Sequence, residues 1–528
     1  MMIEKIKKHK MEIFGLIAIL LMAGFFYFYN ITQKGLFGYD EAFQLLTGNS
    51  YAQIPKIGVN YLLGRGALGD LTAKYLPGNV FFQMSTRPPF AFLNALGIMI
   101  FGYHDYSIFV MDGILGLGSI IVLYFIAQKI TKNYKLALLS AFLFGISGYQ
   151  IYAARGAFST ILAGFFALCG SFFYIRNIDD KSYKEGLNLK SDLMIAGFFW
   201  GLMFASHYSS LFFLMSVGIF EILMFYLSAP GSFKIFFKRL AFLAISFLGV
   251  VFFIEILLQL ISYLLMKVGY PHRVVSYFYE LRRFFRGDLV GDMYNIKPQD
   301  LWFYGRMINI LNGLPYLILF LISPVVFFWK KYRHNLSLVF VFFVAMGMFL
   351  FASLNGFAVP RAMVQINGLV SLLAALVFWE IFHLLKKNYK GFAYFLFIIL
   401  LIFQMRINWG ILNLKSGYKE VAEFLSKENI PAEDIYTETW PIFSFYLNKK
   451  TQIFNNNART IYYVAEYHEN KSVDSYDFNI ISQGELLATF DNPIGRFSPV
   501  RAEVWVPRPP TKWPAAELDK IKIYKVHR

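Results

Sequence analysis

The sequence is poor in charge and nearly devoid of cysteine. Charged residues make up 16% of its 528 residues, whereas soluble domains carry about 25%. Apolar residues reach 57% even without glycine. A water-soluble core cannot hide that much apolar surface, so the composition excludes a soluble globular protein and indicates a membrane protein. The single cysteine, Cys169, excludes an external domain held together by internal disulfides.

Several motifs are also missing. The sequence has no GxxxxGK(S/T) phosphate-binding loop, so ATP-driven transport is unsupported. It has no Cys/His cluster with the spacing of a zinc site. It also lacks a WWD-type acceptor-peptide motif, and no DxD occurs in the first predicted external loop. These absences disfavour the transfer of a whole oligosaccharide to asparagine.

What the sequence contains instead is a series of long apolar segments. A helix that crosses a bilayer needs about 20 mostly apolar residues. Segments that approach or reach this length lie at 13–30, 107–127, 136–150, 157–174, 193–207, 210–228, 240–264, 308–328, 336–352, 361–385 and 391–409. We therefore predict a mainly α-helical, polytopic membrane protein with about eleven transmembrane helices.

The net charge of +17, from 50 Lys and Arg against 33 Asp and Glu, would by itself also suit nucleic acid. Its distribution favours another origin. With the N-terminus inside, twenty Lys and Arg fall in short cytoplasmic segments, while short external turns hold only Arg155 and Arg361. This is the pattern of the positive-inside rule. The sequence predicts a multi-pass cell-membrane protein with a cytoplasmic N-terminus, and nucleic acid is not needed as a partner.

Three larger pieces then face outward: 31–106, 267–307 and 410–528. We predict a membrane domain at 1–409 that carries the first two as external loops, and an extracytoplasmic α/β domain at 410–528. The apolar stretch 88–101 is expected to lie along the outer surface. In the C-terminal segment the pattern predicts helices at 417–428 and 440–447 and strands near 433–438, 451–454, 461–465, 485–490, 501–506 and 521–526.

Two adjacent carboxylates, Asp40 and Glu41, follow the first span in the segment GLFGYDEAFQLL. A general base at the outer membrane surface suits a reaction between a lipid-borne group and an external acceptor. Carboxylates also favour helix N-termini, so the pair also fits a cap for a helix that starts near Ala42. Spacing alone leaves both interpretations open.

Three arginines stand where a lipid phosphate would be found. Arg87 precedes the proline pair of STRPPF, which fixes the backbone next to a guanidinium suited to phosphate oxygens. Arg155 and Arg361 are retained against the topological preference of the other basic residues, which invites a functional interpretation. Contact with ordinary lipid headgroups is the alternative for each of the three.

His207 and Glu255 lie toward the outer ends of predicted spans. Either residue would suit an external cavity or a divalent metal site, while an interhelical hydrogen bond is the commoner role for such buried polar groups. The sequence requires no cofactor and leaves a divalent metal open.

Six motifs follow one another along the chain: YDEA (39–42), RPPF (87–90), FGYHDYS (101–107), YAAR (152–155), GLMFASHYS (201–209) and VPRAMVQINGLVSLLAAL (359–376). In this order they resemble the GT-C superfamily of membrane glycosyltransferases, in the branch of the protein O-mannosyltransferases and the lipid A aminoarabinose transferase. The likeness covers most of 13–385. The sequence departs from the family pattern at IFVMDGIL (108–115) and at Ala362, where tyrosine is usual.

The resemblance implies an inverting glycosyltransferase that works on the external face. It would move a monosaccharide from a polyprenyl-phosphate carrier to a hydroxyl of a lipid, glycan or protein acceptor, in contact with membrane lipids. Asp40 would be the catalytic base and Glu41 would orient the site, while Arg87, Arg155 and Arg361 would hold the donor phosphate. A transporter of lipid-linked sugars is the alternative, although the inverted repeats and broken spans of such transporters are not visible in the sequence.

Overall fold

The chain folds into a series of long apolar helices followed by a small α/β segment, as the sequence predicts. The computed structural model describes residues 2–75, 87–178, 189–227, 233–267, 276, 278, 282, 302–328, 332, 335–354, 360–385, 389–437, 439–449, 451, 460–466, 482–496 and 520–527. The predicted strand 501–506, most of 451–454 and most of the external loop 267–307 lie outside these residues.

The α-helices are numbered in chain order. They are α1 Met2–Phe28, α2 Tyr39–Leu62, α3 Leu68–Tyr75, α4 Pro88–Phe101, α5 Tyr106–Thr131, α6 Tyr134–Ile146, α7 Gly148–Ala154, α8 Ser159–Asn177, α9 Leu189–Ser206, α10 Ser210–Leu227, α11 Phe233–Lys267, α12 Phe303–Asn312, α13 Leu314–Leu321, α14 Leu336–Leu354, α15 Val364–Leu384, α16 Lys390–Leu412, α17 Tyr418–Lys427 and α18 Trp440–Leu447. Short 3-10 turns at Ser323–Phe328 and Pro360–Met363 extend α13 and precede α15.

Seven described helices are long and apolar enough to cross a membrane: α1, α5, α8, α11, α14, α15 and α16. The bent pair α6 and α7 is an eighth candidate. Shorter apolar helices at 191–206, 210–226 and 314–327 overlap the remaining predicted spans, 193–207, 210–228 and 308–328. Helix α4 has 14 residues, which at 1.5 Å per residue is about 21 Å and too short for a crossing. The polytopic helical class is confirmed, and the number eleven stays a prediction.

One feature was not predicted: a broken span. Helices α6 and α7 meet at Ser147 with a bend of 57°. The Asn312 side-chain oxygen accepts hydrogen bonds from the Ser147 hydroxyl (2.8 Å) and the Tyr149 amide (3.1 Å), which satisfies polar groups released by the break. A Cβ on Gly148 would stand 1.9 Å from the Leu311 carbonyl oxygen, so only glycine permits this close approach.

Packing divides the chain into two compact units. Among the described residues, the first unit contains those within 2–29, 112–256 and 302–412, and the second contains those within 30–111, 257–282 and 413–527. The second unit joins the first predicted external loop to the C-terminal segment, whereas the sequence analysis assigned these two pieces to different domains.

The second unit contains a four-stranded sheet. Its strands are β1 Ile435–Tyr436, β2 Thr460–Glu466, β3 Glu485–Asp491 and β4 Lys520–His527, in the order β1-β2-β4-β3. Strand β1 is parallel to β2, and β4 is antiparallel to both β2 and β3. Alternate residues of the strands point to one side, where Tyr436, Ile461, Tyr463, Ala465, Tyr524 and Val526 form a core. Sheet and helices confirm the small α/β segment.

Candidate active site

The two adjacent carboxylates lie in the first turn of α2, but their surroundings differ. The Glu41 side chain is buried, and its carboxylate accepts a hydrogen bond from the amide of Phe37, the residue before the N-cap Gly38. The Asp40 side chain is 47% exposed. Glu41 is therefore fixed to the segment that leads into α2, whereas the Asp40 side chain is half-exposed.

Arg87 lies beside Asp40. Pro88 and Pro89 begin α4, a position where proline is favoured because its fixed φ suits the helix and its missing N–H is not needed. Arg87 is the N-cap of this helix, with φ −140° and ψ 62°, outside the α region that a following proline disfavours. One guanidinium nitrogen, Nη1, lies 3.9 Å from Asp40 Oδ2, and the side chain is 17% exposed. Two motifs that are 47 positions apart in the sequence thus form one charged pair.

Close packing of α2 against α4 places Asp40 and Arg87 next to each other. The Asn94 side-chain amide donates to the Gln44 carbonyl oxygen at 3.1 Å. A Cβ on Gly48 would stand 2.4 Å from the Asn94 Cβ, so the helices approach as closely as glycine allows. The contact brings together the first turns of the two helices, which carry Asp40 and Arg87.

The segment 34–41, here called the DE loop, leads into α2 and contains a buried lysine. Lys34 is 1% exposed, and its ammonium lies 3.3 Å from the ring centroid of Phe37 and 3.8 Å from that of Phe109. A cation held against aromatic faces in a desolvated position gains substantial attraction. The sequence analysis did not identify Lys34, since a loop lysine ordinarily lies in solvent.

Gly35 gives the DE loop a conformation that other residues resist. Its φ is +72°, and a Cβ would stand 2.4 Å from the Ser416 hydroxyl oxygen. We expect Gly35→Ala to destabilise the protein by about 1–3 kcal/mol, through left-handed backbone strain and this clash. Thermal unfolding in detergent measures the effect. Gly58→Ala in α2, where a Cβ meets nothing within 4 Å, should instead stabilise by up to about 1 kcal/mol. Equal effects of the two substitutions would contradict the assignment of strain to Gly35.

The structure gives Arg155 contacts at helix ends. Arg155 is 1% exposed, and its Nη1 donates to the carbonyls of Phe26 (3.2 Å) and Tyr29 (2.6 Å) at the end of α1. Its Nη2 donates to the Leu412 carbonyl, the last residue of α16, at 3.3 Å. Terminal carbonyls lack partners within their own helix, and a cation complements their partial negative charge. These contacts favour a structural role, and phosphate binding by Arg155 stays a prediction.

His207 and Arg361 lie near one buried network in the first unit. His207 Nδ1 is 2.6 Å from the Ser209 hydroxyl, which accepts a hydrogen bond from the Gln365 amide at 2.7 Å. Gln365 follows Arg361 by one helical turn, and the Arg361 guanidinium lies 5.4 Å from the Phe158 ring centroid. His207 thus contacts Ser209 in the turn between α9 and α10, and Ser209 in turn bonds to Gln365 of α15. A role of His207 in an external cavity stays a prediction.

Glu255 lies half-buried on α11. Within the ranges that the structure describes, no group of three His, Cys, Asp or Glu residues is arranged to hold a metal ion. His207 and Glu255 thus take part in no such group there. Arg155, Arg361, His207 and Glu255 belong to the first unit, and Asp40, Glu41 and Arg87 to the second.

Part of the sequence matches a known protein family. Residues 86–258 match the family described as dolichyl-phosphate-mannose-protein mannosyltransferase. This stretch contains Arg87, Arg155, His207 and Glu255. No protein of curated function matches the sequence.

Two solved structures share the fold, and a third aligns with part of it. ArnT from Cupriavidus metallidurans bound to undecaprenyl phosphate aligns with a TM-score of 0.56 and 9% identity, over 96% of this chain and 97% of ArnT. The apo form of the same ArnT gives 0.57 and 11% over the same shares. AglB from Archaeoglobus fulgidus, with an inhibitory peptide and a dolichol-phosphate, gives 0.49 and 14%, over 80% of this chain and 58% of AglB. The family match and the ArnT-like fold confirm the resemblance to the GT-C superfamily of membrane glycosyltransferases, in its protein O-mannosyltransferase and ArnT branch.

Proposed function

We propose that this protein is an inverting glycosyltransferase that moves a monosaccharide from a polyprenyl-phosphate carrier to an acceptor hydroxyl on the external face of the membrane. The observation that carries the proposal is the half-exposed Asp40 beside Arg87, with Asp40 Oδ2 3.9 Å from Arg87 Nη1. The pair offers a base for the acceptor and a cation for the donor phosphate at one place.

The reaction needs one carboxylate at the acceptor. Asp40 takes the proton of the acceptor hydroxyl as its oxygen attacks the anomeric carbon of the sugar. The bond from that carbon to the phosphate oxygen breaks, and the polyprenyl phosphate leaves with the electron pair. Arg87 stabilises the charge that develops on this phosphate.

Inversion follows from the same arrangement. A retaining mechanism needs a second carboxylate to form a covalent intermediate. The neighbouring carboxylate, Glu41, is buried and bound to the Phe37 amide, so it holds the DE loop and is not available as a nucleophile. Direct displacement of the phosphate therefore inverts the anomeric carbon.

The undecaprenyl phosphate bound to ArnT supports a polyprenyl phosphate as the carrier. The external face follows from the positive-inside pattern, which puts the N-terminus inside and the DE loop and C-terminal segment outside. The acceptor is a lipid, glycan or protein hydroxyl. Deleting the gene and comparing native lipids and glycans by mass spectrometry tests the proposal. We expect a sugar-modified product to vanish and its lipid-linked donor to accumulate, whereas unchanged profiles would contradict it.

Arg87→Ala should weaken the binding of undecaprenyl phosphate by about 10-fold to 100-fold, because hydrogen bonds between charged groups contribute about 1.5–3 kcal/mol. Isothermal titration of the purified protein measures this affinity. Arg65→Ala removes an exposed arginine of the same unit and serves as the matched control. Native affinity in Arg87→Ala would remove this residue from the phosphate site.

A transporter of lipid-linked sugars is the second candidate, and the broken span of α6 and α7 favours it, since broken helices are common in transporters. A transporter would carry a labelled lipid-linked sugar across a vesicle bilayer without forming a new glycosidic bond. A new bond formed by the purified protein would reject this candidate.

A further inference from the structure

We propose that the C-terminal segment positions the catalytic base, through a clamp in which Tyr446 of α18 holds the DE loop. The inference rests on the proposed function, because it assigns Asp40 as the base. It makes Tyr446 a positioning residue and gives the segment that follows the last membrane helix a part in catalysis.

The clamp joins three pieces of the second unit. The Tyr446 hydroxyl accepts a hydrogen bond from the Leu36 amide at 2.9 Å and donates one to Asp105 Oδ2 at 2.8 Å. The other oxygen of Asp105 accepts from the Tyr106 amide at 2.8 Å, where α5 begins. One hydroxyl of α18 therefore fixes the DE loop against the start of α5.

The hydroxyl is kept in its protonated form. Burial, and next the charge of Asp105, raise the pKa of Tyr446 well above its ordinary value. Its single proton goes to Asp105, so its oxygen is left to accept from Leu36. Because the hydroxyl both donates one hydrogen bond and accepts another within the protein, it restricts the loop to one arrangement, and water does not easily replace either partner.

A second contact comes from the same segment. The Ser416 amide donates to the Lys34 carbonyl oxygen at 2.9 Å. The backbone of the DE loop is thus held from the C-terminal segment at Lys34 and again at Leu36. The next amide, that of Phe37, is bound by Glu41, which neighbours Asp40. A displacement of the backbone at Leu36 therefore displaces the turn that carries Asp40. A displacement of about 1 Å in a reacting group can lower the rate about 100-fold.

The test compares two removals of a tyrosine hydroxyl. Tyr446→Phe breaks the clamp. Tyr418→Phe is the control, because Tyr418 is a buried tyrosine of the same unit whose hydroxyl donates to a carboxylate outside the DE loop, Glu466 Oε2 at 2.9 Å. Hydrogen exchange of the peptide that covers 34–41 reports on the loop. Product formed in the deletion strain carrying each variant reports on catalysis, and undecaprenyl phosphate is the probe for binding.

We expect Tyr446→Phe to speed exchange of the 34–41 peptide at least tenfold and to lower product formation at least tenfold per folded protein, with affinity for undecaprenyl phosphate within twofold of native. Tyr418→Phe should change none of the three. Native exchange in Tyr446→Phe, faster exchange with native product formation, or equal effects of both variants would each overturn the clamp. Failure of the proposed function would appear separately, as full product formation by Asp40→Asn. The hydrogen exchange of the 34–41 peptide would still show whether Tyr446 holds the DE loop.

Discussion

Asp40→Asn should abolish detectable transfer while the protein still folds and inserts into the membrane. The amide is nearly the same size as the carboxylate but cannot take a proton from the acceptor hydroxyl. General base catalysis contributes about 100-fold to 10,000-fold in rate. Because the side chain is 47% exposed and Glu41 holds the start of α2, the substitution removes little packing. Transfer per folded protein in the deletion strain measures the loss.

Asp70→Asn supplies the control for this substitution. Asp70 is an exposed aspartate in the first turn of α3, in the same unit, so the change in charge and the change at a helix start are matched. We expect native transfer from Asp70→Asn. Native transfer from Asp40→Asn would remove Asp40 as the base, and a loss shared by both variants would point to net charge at the surface as the cause.

Much of the fold is visible in the sequence because it depends on local pattern. The runs of apolar residues mark the long helices, and α18 begins and ends at the predicted residues 440 and 447. The strands β2, β3 and β4 each cover a predicted strand. The break between α6 and α7 was not predicted, because it depends on Asn312, which is 165 positions away from Ser147 in the sequence.

The candidate site likewise has a part that local sequence motifs reveal and a part that depends on tertiary contacts. The pair of acids and the arginine before two prolines are local motifs, so Asp40 and Arg87 are visible as candidates. Their meeting depends on the tertiary contact between Gly48 and Asn94. The supports of the DE loop carry no local signal. Tyr446 is separated by 410 positions from Leu36 and by 341 from Asp105, and nothing in the sequence around it indicates this role.

Arg87 and Arg155 were proposed for the same role from the sequence, but the structure gives them different surroundings. Arg87 and Arg155 were both predicted as ligands of a phosphate, because both are basic residues on the outer side. Arg87 is partly exposed beside Asp40. Arg155 is surrounded by carbonyl groups at the ends of α1 and α16. Burial and acceptor type, which the sequence does not reveal, separate the two.

Arg155→Met should therefore destabilise the protein severely, by about 3 kcal/mol or more, because several buried carbonyls lose their donor at once. Methionine fills part of the volume but cannot donate, so the carbonyls of Phe26, Tyr29 and Leu412 lose their partner inside the protein. A buried polar group without a partner costs about 1–3 kcal/mol. Thermal unfolding of the purified variant, followed by size-exclusion fluorescence, measures the loss.

Arg176→Met is the comparison within the same unit. The Arg176 side chain is 46% exposed and pairs with Asp192 at 3.4 Å, and a surface pair of this kind contributes about 0–1 kcal/mol. Its unfolding temperature should stay near that of the native protein. A stable Arg155→Met variant that no longer binds undecaprenyl phosphate would reverse the interpretation. The guanidinium would then act on the donor, and the carbonyls around it would be satisfied in another way.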